Sequence, residues 1–145
     1  MKFGITQETN LSVDKVNSVN ELSSAMKDNF RSLSYGKDVN QILIGVICVK
    51  PEFDFFYKVR KLKYSTEESF ENDLGEIIKV TNSVSYDIKL DYEFCDQQSD
   101  IQETIAKAIF DSLSTLDNLP KKVKDFDTER FKSDLKSFFK ERNLI

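Results

Sequence analysis

The chain has 145 residues and a formal net charge of −4, and it is rich in Phe but contains no His. This length suits one substantial core, so we predict a single globular domain over residues 1–145. The absence of His excludes serine–histidine and cysteine–histidine nucleophile pairs, and it removes the commonest transition-metal ligand.

The first part of the chain predicts a helix between two strands. A weakly patterned strand over residues 3–7 precedes a helix that Ser18 and Glu21 would begin as a capping box, with Gly36 past its end. Apolar residues recur on one face of this helix at Val19, Leu22, Met26, Phe30 and Leu33. Residues 41–49 are rich in β-branched side chains and predict a central strand buried on both faces.

The middle of the chain predicts an antiparallel meander. Pro51 interrupts the apolar run, and alternation over residues 53–64 suggests a second strand that forms a hairpin with the first. A further strand around Ile77 and Ile78 would turn at residues 81–83 into the strand over residues 84–95. That last segment alternates between apolar and polar side chains, which is typical of a strand with one buried face.

Two helices are predicted after Cys95. Ser99 and Gln102 resemble a capping box before an apolar stripe that extends from Ile101 to Leu116. A final helix would begin near Asp127 or Thr128, with an apolar face formed by Phe131, Leu135, Phe138 and Phe139. The predicted fold class is therefore α+β: a central antiparallel β-meander with an N-terminal helix and two C-terminal helices packed on it.

The two cysteines, Cys48 and Cys95, do not have the paired spacing of a zinc site or a disulfide framework. Cys48 lies in the apolar run and is expected to behave as a small buried hydrophobic residue. A bridge between the two cysteines would be possible only if their strands were neighbours, so their proximity stays open.

Acidic residues are concentrated in one region, because residues 84–118 contain eight acids and two lysines. The candidate partner-binding residues are Asp87, Asp91, Glu93, Asp96 and Asp100, with Glu103 beside them. On a strand, the first three would share one flat face, and a field of one sign there would attract and orient a basic protein. The alternative is a solvated sheet face and a helix start, where acids favour the helix dipole.

Other ligands are less well supported. No calcium-binding loop motif and no glycine-rich phosphate loop occurs, so we predict no metal and no cofactor. Lys58, Arg60, Lys61 and Lys63 could contact nucleic acid beside aromatic residues, but a pI near 5.0 has the wrong sign for phosphate binding. The longest apolar run, residues 42–49, is too short to cross a bilayer, and no secretory signal is visible. We expect a cytoplasmic protein.

In its compact size, acidic balance, helix-flanked sheet and lack of a catalytic constellation, the chain resembles the small immunity proteins of bacterial contact-dependent and other polymorphic toxin systems. That resemblance implies a protein that binds one cognate, basic toxin domain, often a nuclease, and blocks its active site. The acidic surface would then imitate the charge of nucleic acid. The resemblance transfers no binding residue, because these families share no signature.

Two other classes of function remain open on the sequence. A carboxylate-dependent hydrolase would need two acids facing each other across a cleft, whereas the acids here are predicted on one face. A scaffold subunit would form a homo-oligomer through an apolar patch, for which Phe55, Phe56 and Tyr57 are candidates. We predict no enzymatic activity, and a monomer or weak dimer that binds neither nucleic acid nor membrane.

Overall fold

A computed structural model describes residues 1–36, 39, 41–56, 63–65, 69–71, 77–79, 83–118 and 126–145. Its strands are β1 (Lys2–Thr9), β2 (Gln41–Cys48), β3 (Lys63–Ser65), β4 (Ser69–Glu71), β5 (Ile77–Lys79) and β6 (Ser83–Lys89). Its α-helices are α1 (Val13–Phe30), α2 (Tyr92–Gln97), α3 (Ile101–Asp111) and α4 (Thr128–Glu141). Two short 3-10 helices span Pro51–Phe56 and Leu113–Asn118.

Three long strands form the centre of the sheet, and all three are parallel. The strand order is β1-β2-β6-β3, with β1, β2 and β6 parallel and the short β3 antiparallel at the edge. The register brings Ile5, Ile44 and Tyr86 side by side across the sheet. The α+β class holds, but the predicted antiparallel meander is wrong. Because α1 connects β1 to β2 as a crossover, the two strands run in the same direction.

The predicted hairpins are wrong for local reasons. Pro51 fixes its own φ and has no N–H to donate to a ladder, and the chain turns there into the 3-10 helix Pro51–Phe56. Of the strand predicted over residues 53–64, residues 57–62 lie outside the described part, and β3 pairs with β6 instead of β2. The predicted strand at Ile77 exists as β5, but it pairs with β4 in a separate two-stranded sheet.

The prediction for β2 is confirmed, since this strand is central and its side chains from Ile44 to Cys48 are buried. One face of the sheet forms the main core with α1, α3 and α4. The core side chains of this face are Phe3, Ile5, Ile42, Ile44, Val46, Cys48, Val84 and Tyr86. The predicted packing of helices against a buried sheet face is therefore present.

The helix faces agree with most of the predicted stripes, although two helix starts differ and two helices end early: α1 ends at Phe30, before Leu33 and Gly36, and α3 ends at Asp111, before Leu116. Val19, Leu22, Met26 and Phe30 are buried on α1, but the helix begins after Ser12, whose side chain accepts a hydrogen bond from the N–H of Lys15. The α3 cap is Asp100. The predicted start of α4 is confirmed, with Asp127 as its N-cap, and its four predicted apolar residues are buried.

An aromatic cluster joins α4 to the sheet and to α1. The ring of Phe3 lies 5.3 Å from that of Phe30 and 5.9 Å from that of Phe131, measured between centroids. Tyr35 packs edge-on against Phe131, and its hydroxyl donates a 2.5 Å hydrogen bond to Asp134. The three segments therefore share one continuous apolar core, which fixes the end of the sheet opposite to α2.

Candidate protein-binding site

The predicted strand over residues 84–95 is correct only as far as Lys89. The chain leaves the sheet there and forms α2 from Tyr92 to Gln97. Asp91 is the reason, because its side chain accepts a 2.9 Å hydrogen bond from the N–H of Phe94 and so caps a helix. The expectation that Asp87, Asp91 and Glu93 alternate along one flat strand face is therefore wrong.

Asp87 occupies a structural position in β6. Its carboxylate packs over Gly45 of β2, and a Cβ placed on Gly45 would lie only 2.0 Å from Oδ1 of Asp87. Gly45, Asp87 and Thr6 occupy the same row of the sheet, on the face opposite the main core. Asp87 is half-buried, so it presents less charge to solvent than an exposed carboxylate would.

The other four predicted residues lie on α2 and at the start of α3. Asp91 and Asp100 cap these helices, and Oδ1 of Asp100 accepts a 3.1 Å hydrogen bond from the N–H of Glu103. Glu93 and Asp96 are on α2, and all four side chains are exposed. Helix capping explains two of these acids without any partner, yet it leaves their second carboxylate oxygens available to solvent or to a ligand.

Helix α2 is held against α1 by Lys15. The Nζ atom of Lys15 donates to the carbonyl oxygens of Cys95 and Asp96, and it lies 3.8 Å from the carboxylate of Asp96. The thiol of Cys95 is buried beside that of Cys48 under the same helix. These contacts give the acidic helix a fixed position relative to the core, as a binding surface requires.

Cys48 and Cys95 are both buried and neither forms a disulfide, and the thiol of Cys48 donates to the carbonyl oxygen of Asp91 at 3.9 Å. Interaction with the neighbouring thiol of Cys95, followed by burial, raises the pKa of Cys48 well above its ordinary value, and the same interaction lowers the pKa of Cys95. A buried thiol whose pKa is raised is a poor nucleophile. We therefore assign this pair to packing beneath α2.

A groove that the sequence analysis did not predict lies beside the acidic helix α2. It has a volume of about 620 Å³ and separates the end of β6 from α2 and α3. Ile88, Leu90 and Phe94 supply apolar lining, and the phenylalanine is 55% exposed. The feature of the sequence that relates to the groove is Phe94, an aromatic residue among acids. The strand predicted over residues 84–95 would have buried this side chain.

The remaining candidate residues lie elsewhere or outside the described part. Lys58, Arg60, Lys61 and Tyr57 fall in residues 57–62, which are not described. Lys63 belongs to β3, and Phe55 and Phe56 belong to the first 3-10 helix. Within the described ranges, no three His, Cys, Asp or Glu side chains are grouped to hold a metal ion, and no helix has the length and apolarity to span a membrane.

The structure thus places an exposed acidic helix, fixed to the core, beside a groove with apolar lining. Residues 1–141 match the family described as immunity protein 44, and the chain belongs to this family. It therefore has an immunity function with a toxin as its partner, and the family indicates an inhibitor role. No curated protein and no solved structure matches the chain.

Proposed function

We propose that this protein binds a basic bacterial toxin domain, a nuclease, and blocks its active site with the acidic surface of α2 and the start of α3. This surface consists of Asp91, Glu93, Asp96 and Asp100, which we call the acidic patch. The observation that supports the proposal most directly is that all four side chains are exposed within one turn-and-helix segment. Nucleases bind a polyanion, so their active-site clefts attract carboxylates presented in the same way.

The charges of the acidic patch are compensated only in part. Nζ of Lys15 lies 3.8 Å from Oδ1 of Asp96. The neighbouring Lys107 forms an ion pair with Glu103, with 2.5 Å between Nζ and Oε1, and that acid is not part of the acidic patch. The patch therefore keeps most of its negative charge for a partner. Charges of this kind accelerate association and orient the partner, and their effect falls as salt increases.

The experiment must separate charge from helix capping. Asn caps a helix about as well as Asp, so Asp91→Asn and Asp100→Asn remove charge while they keep the capping oxygen. With Glu93→Gln and Asp96→Asn, these changes form a neutralised variant with a nearly unchanged surface shape. The partner is the cognate toxin domain, which is to be sought in the neighbouring reading frame, and its association rate is measured at low and high salt.

A second variant is the matched control. It removes four exposed acids from α1 and α4 with the same kinds of substitution: Glu21→Gln, Asp28→Asn, Glu129→Gln and Glu141→Gln. The net charge of both variants is the same. We expect the acidic-patch variant to associate at least about 10-fold more slowly at low salt and to protect cells poorly, while the control resembles the wild type. Equal rates for the two variants would place the interface elsewhere.

A further inference from the structure

The residues that line the groove between β6, α2 and α3 indicate the chemistry of a partner that would fit it. One complete face of α3 lines it, because the lining positions follow helical spacing: Asp100, Glu103, Thr104, Lys107, Ala108 and Asp111. The opposite face of α3 carries Ile101, Ile105 and Ile109, which are buried in the core. Helix α3 is thus apolar toward the core and acidic toward the groove.

Part of the apolar surface in the groove stays exposed, although Ile88 and Leu90 also pack against the core. Ile88 and Leu90 are only partly buried at the end of β6, and Phe94 leaves more than half of its surface in solvent. The backbone of Phe94 is nevertheless fixed, since its N–H donates to Asp91 and its carbonyl accepts from the side chain of Gln98. An exposed aromatic side chain on a backbone that is held in place is well suited to anchor a partner.

The charges around the groove select a cation. Among the described residues, three acids and one lysine line it; Nζ of Lys107 lies 2.5 Å from Oε1 of Glu103, which leaves Asp100 and Asp111 outside this ion pair. A phosphate or a nucleic acid would be repelled by this lining. An arginine fits both the apolar and the acidic part of the groove. Its planar guanidinium stacks on an aromatic ring and pairs with carboxylates, and its aliphatic stem covers apolar surface.

We propose that this groove is the anchor pocket of the interface and that it receives an arginine side chain of the toxin domain. The guanidinium lies against Phe94 and pairs with Asp111 or Asp100, and the stem packs on Ile88 and Leu90. This inference rests on the proposed function, and it adds the pocket and the chemistry of the residue that enters it. The acidic patch then governs the association rate, and the groove governs how long the complex lasts.

Two groove variants test the proposal by different means. Phe94→Ala removes the aromatic surface, and Thr104→Trp fills the groove from a partly exposed position on α3. Each has a control that makes the same change on an exposed position outside the groove lining: Phe53→Ala in the first 3-10 helix and Ser24→Trp on α1. Circular dichroism confirms folding, and the dissociation rate from the cognate toxin domain is measured.

We expect both groove variants to bind at least about 30-fold more weakly, mainly through faster dissociation, while both controls bind as the wild type does. Each arginine of the toxin domain is also replaced with alanine. One of these toxin variants should bind the wild type more weakly and should show no further loss of affinity for Phe94→Ala. If the wild type binds the toxin and both groove variants bind equally well, the groove proposal is refuted and the proposed function stands. Absence of wild-type binding would overturn both.

A second copy of this chain is the competing occupant. Size-exclusion chromatography of the wild type and of Phe94→Ala distinguishes it. A wild-type dimer that Phe94→Ala converts to a monomer would assign the groove to self-association and overturn the proposal. Elution of both as monomers is the expected result.

Discussion

Replacing Gly45 with Ala should destabilise the protein only because Asp87 is present. A Cβ at this position would lie 2.0 Å from Oδ1 and 3.1 Å from Cγ of Asp87, so the carboxylate must move from its half-buried position. Overpacking of this kind costs about 1–3 kcal/mol. Against that cost, Ala loses less conformational entropy than Gly within a strand, which is worth about 0.5–1 kcal/mol. The net expectation is a loss of roughly 1–2 kcal/mol in the free energy of unfolding.

The sign should reverse when Asp87 is removed. In an Asp87→Ala background, the next contact of the new methyl group is Oγ1 of Thr6 at 3.5 Å, an ordinary distance. Gly45→Ala should then stabilise by about 0.5–1 kcal/mol. Gly4→Ala in β1 is the matched control, since its Cβ would meet only a side-chain atom of Leu43 at 3.4 Å, and its effect should be the same in both backgrounds.

Urea unfolding of the four combinations measures these differences as shifts of the midpoint at constant slope. A coupling of about 1 kcal/mol or more between positions 45 and 87 is expected for groups in direct contact. If Gly45→Ala changes stability equally with and without Asp87, the close approach of the two strands is not as described.

Three further predictions concern other parts of the fold. Leu135→Ala in the buried face of α4 should lower the unfolding free energy by about 2–5 kcal/mol, whereas the exposed neighbour Lys136→Ala should change it by less than about 0.5 kcal/mol, both measured by urea unfolding. Asp91→Ala should cost about 1 kcal/mol of stability through loss of the α2 cap, and Asp91→Asn much less, so equal midpoints would argue against capping. Burial and the hydrogen bond to Asp134 raise the pKa of Tyr35, so the stability contributed by its neutral form is complete below about pH 10 and is lost as pH rises above that value. Tyr35→Phe should flatten that decline of stability at alkaline pH. A profile of unfolding free energy against pH that runs parallel to that of the wild type would contradict this assignment.

Local patterns predicted the helices better than the sheet. The stripes of α1 and α4 and the cap at Asp127 follow from side chains a few residues apart, and such patterns are visible in one sequence. Strand pairing depends on residues far apart in the chain. A central strand such as β2 can be recognised by its apolar run, but that run does not indicate which strands pair with it, here β1 and β6.

The candidate site was predictable in composition and not in geometry. The concentration of acids after residue 84 is evident from the sequence, but alternation continued past Lys89 by coincidence, and a capping Asp91 ended the strand. Competition between a local cap and an extended strand is decided by tertiary packing, here by burial of Cys95 in the core and by the hydrogen bonds that Lys15 of α1 donates to α2. The groove could not be predicted, because it exists only where three elements meet.

The most direct test of the account is hydrogen exchange of this protein alone and in complex with its cognate toxin domain. We predict slower exchange in the complex at the amides of Tyr92–Gln97 and Ile101–Asp111, the two helices that carry the acidic patch and line the groove. The amides of Thr128–Glu141, in the C-terminal helix, should exchange at the same rate in both states. Protection of that helix with unchanged exchange in the other two would contradict the central claim.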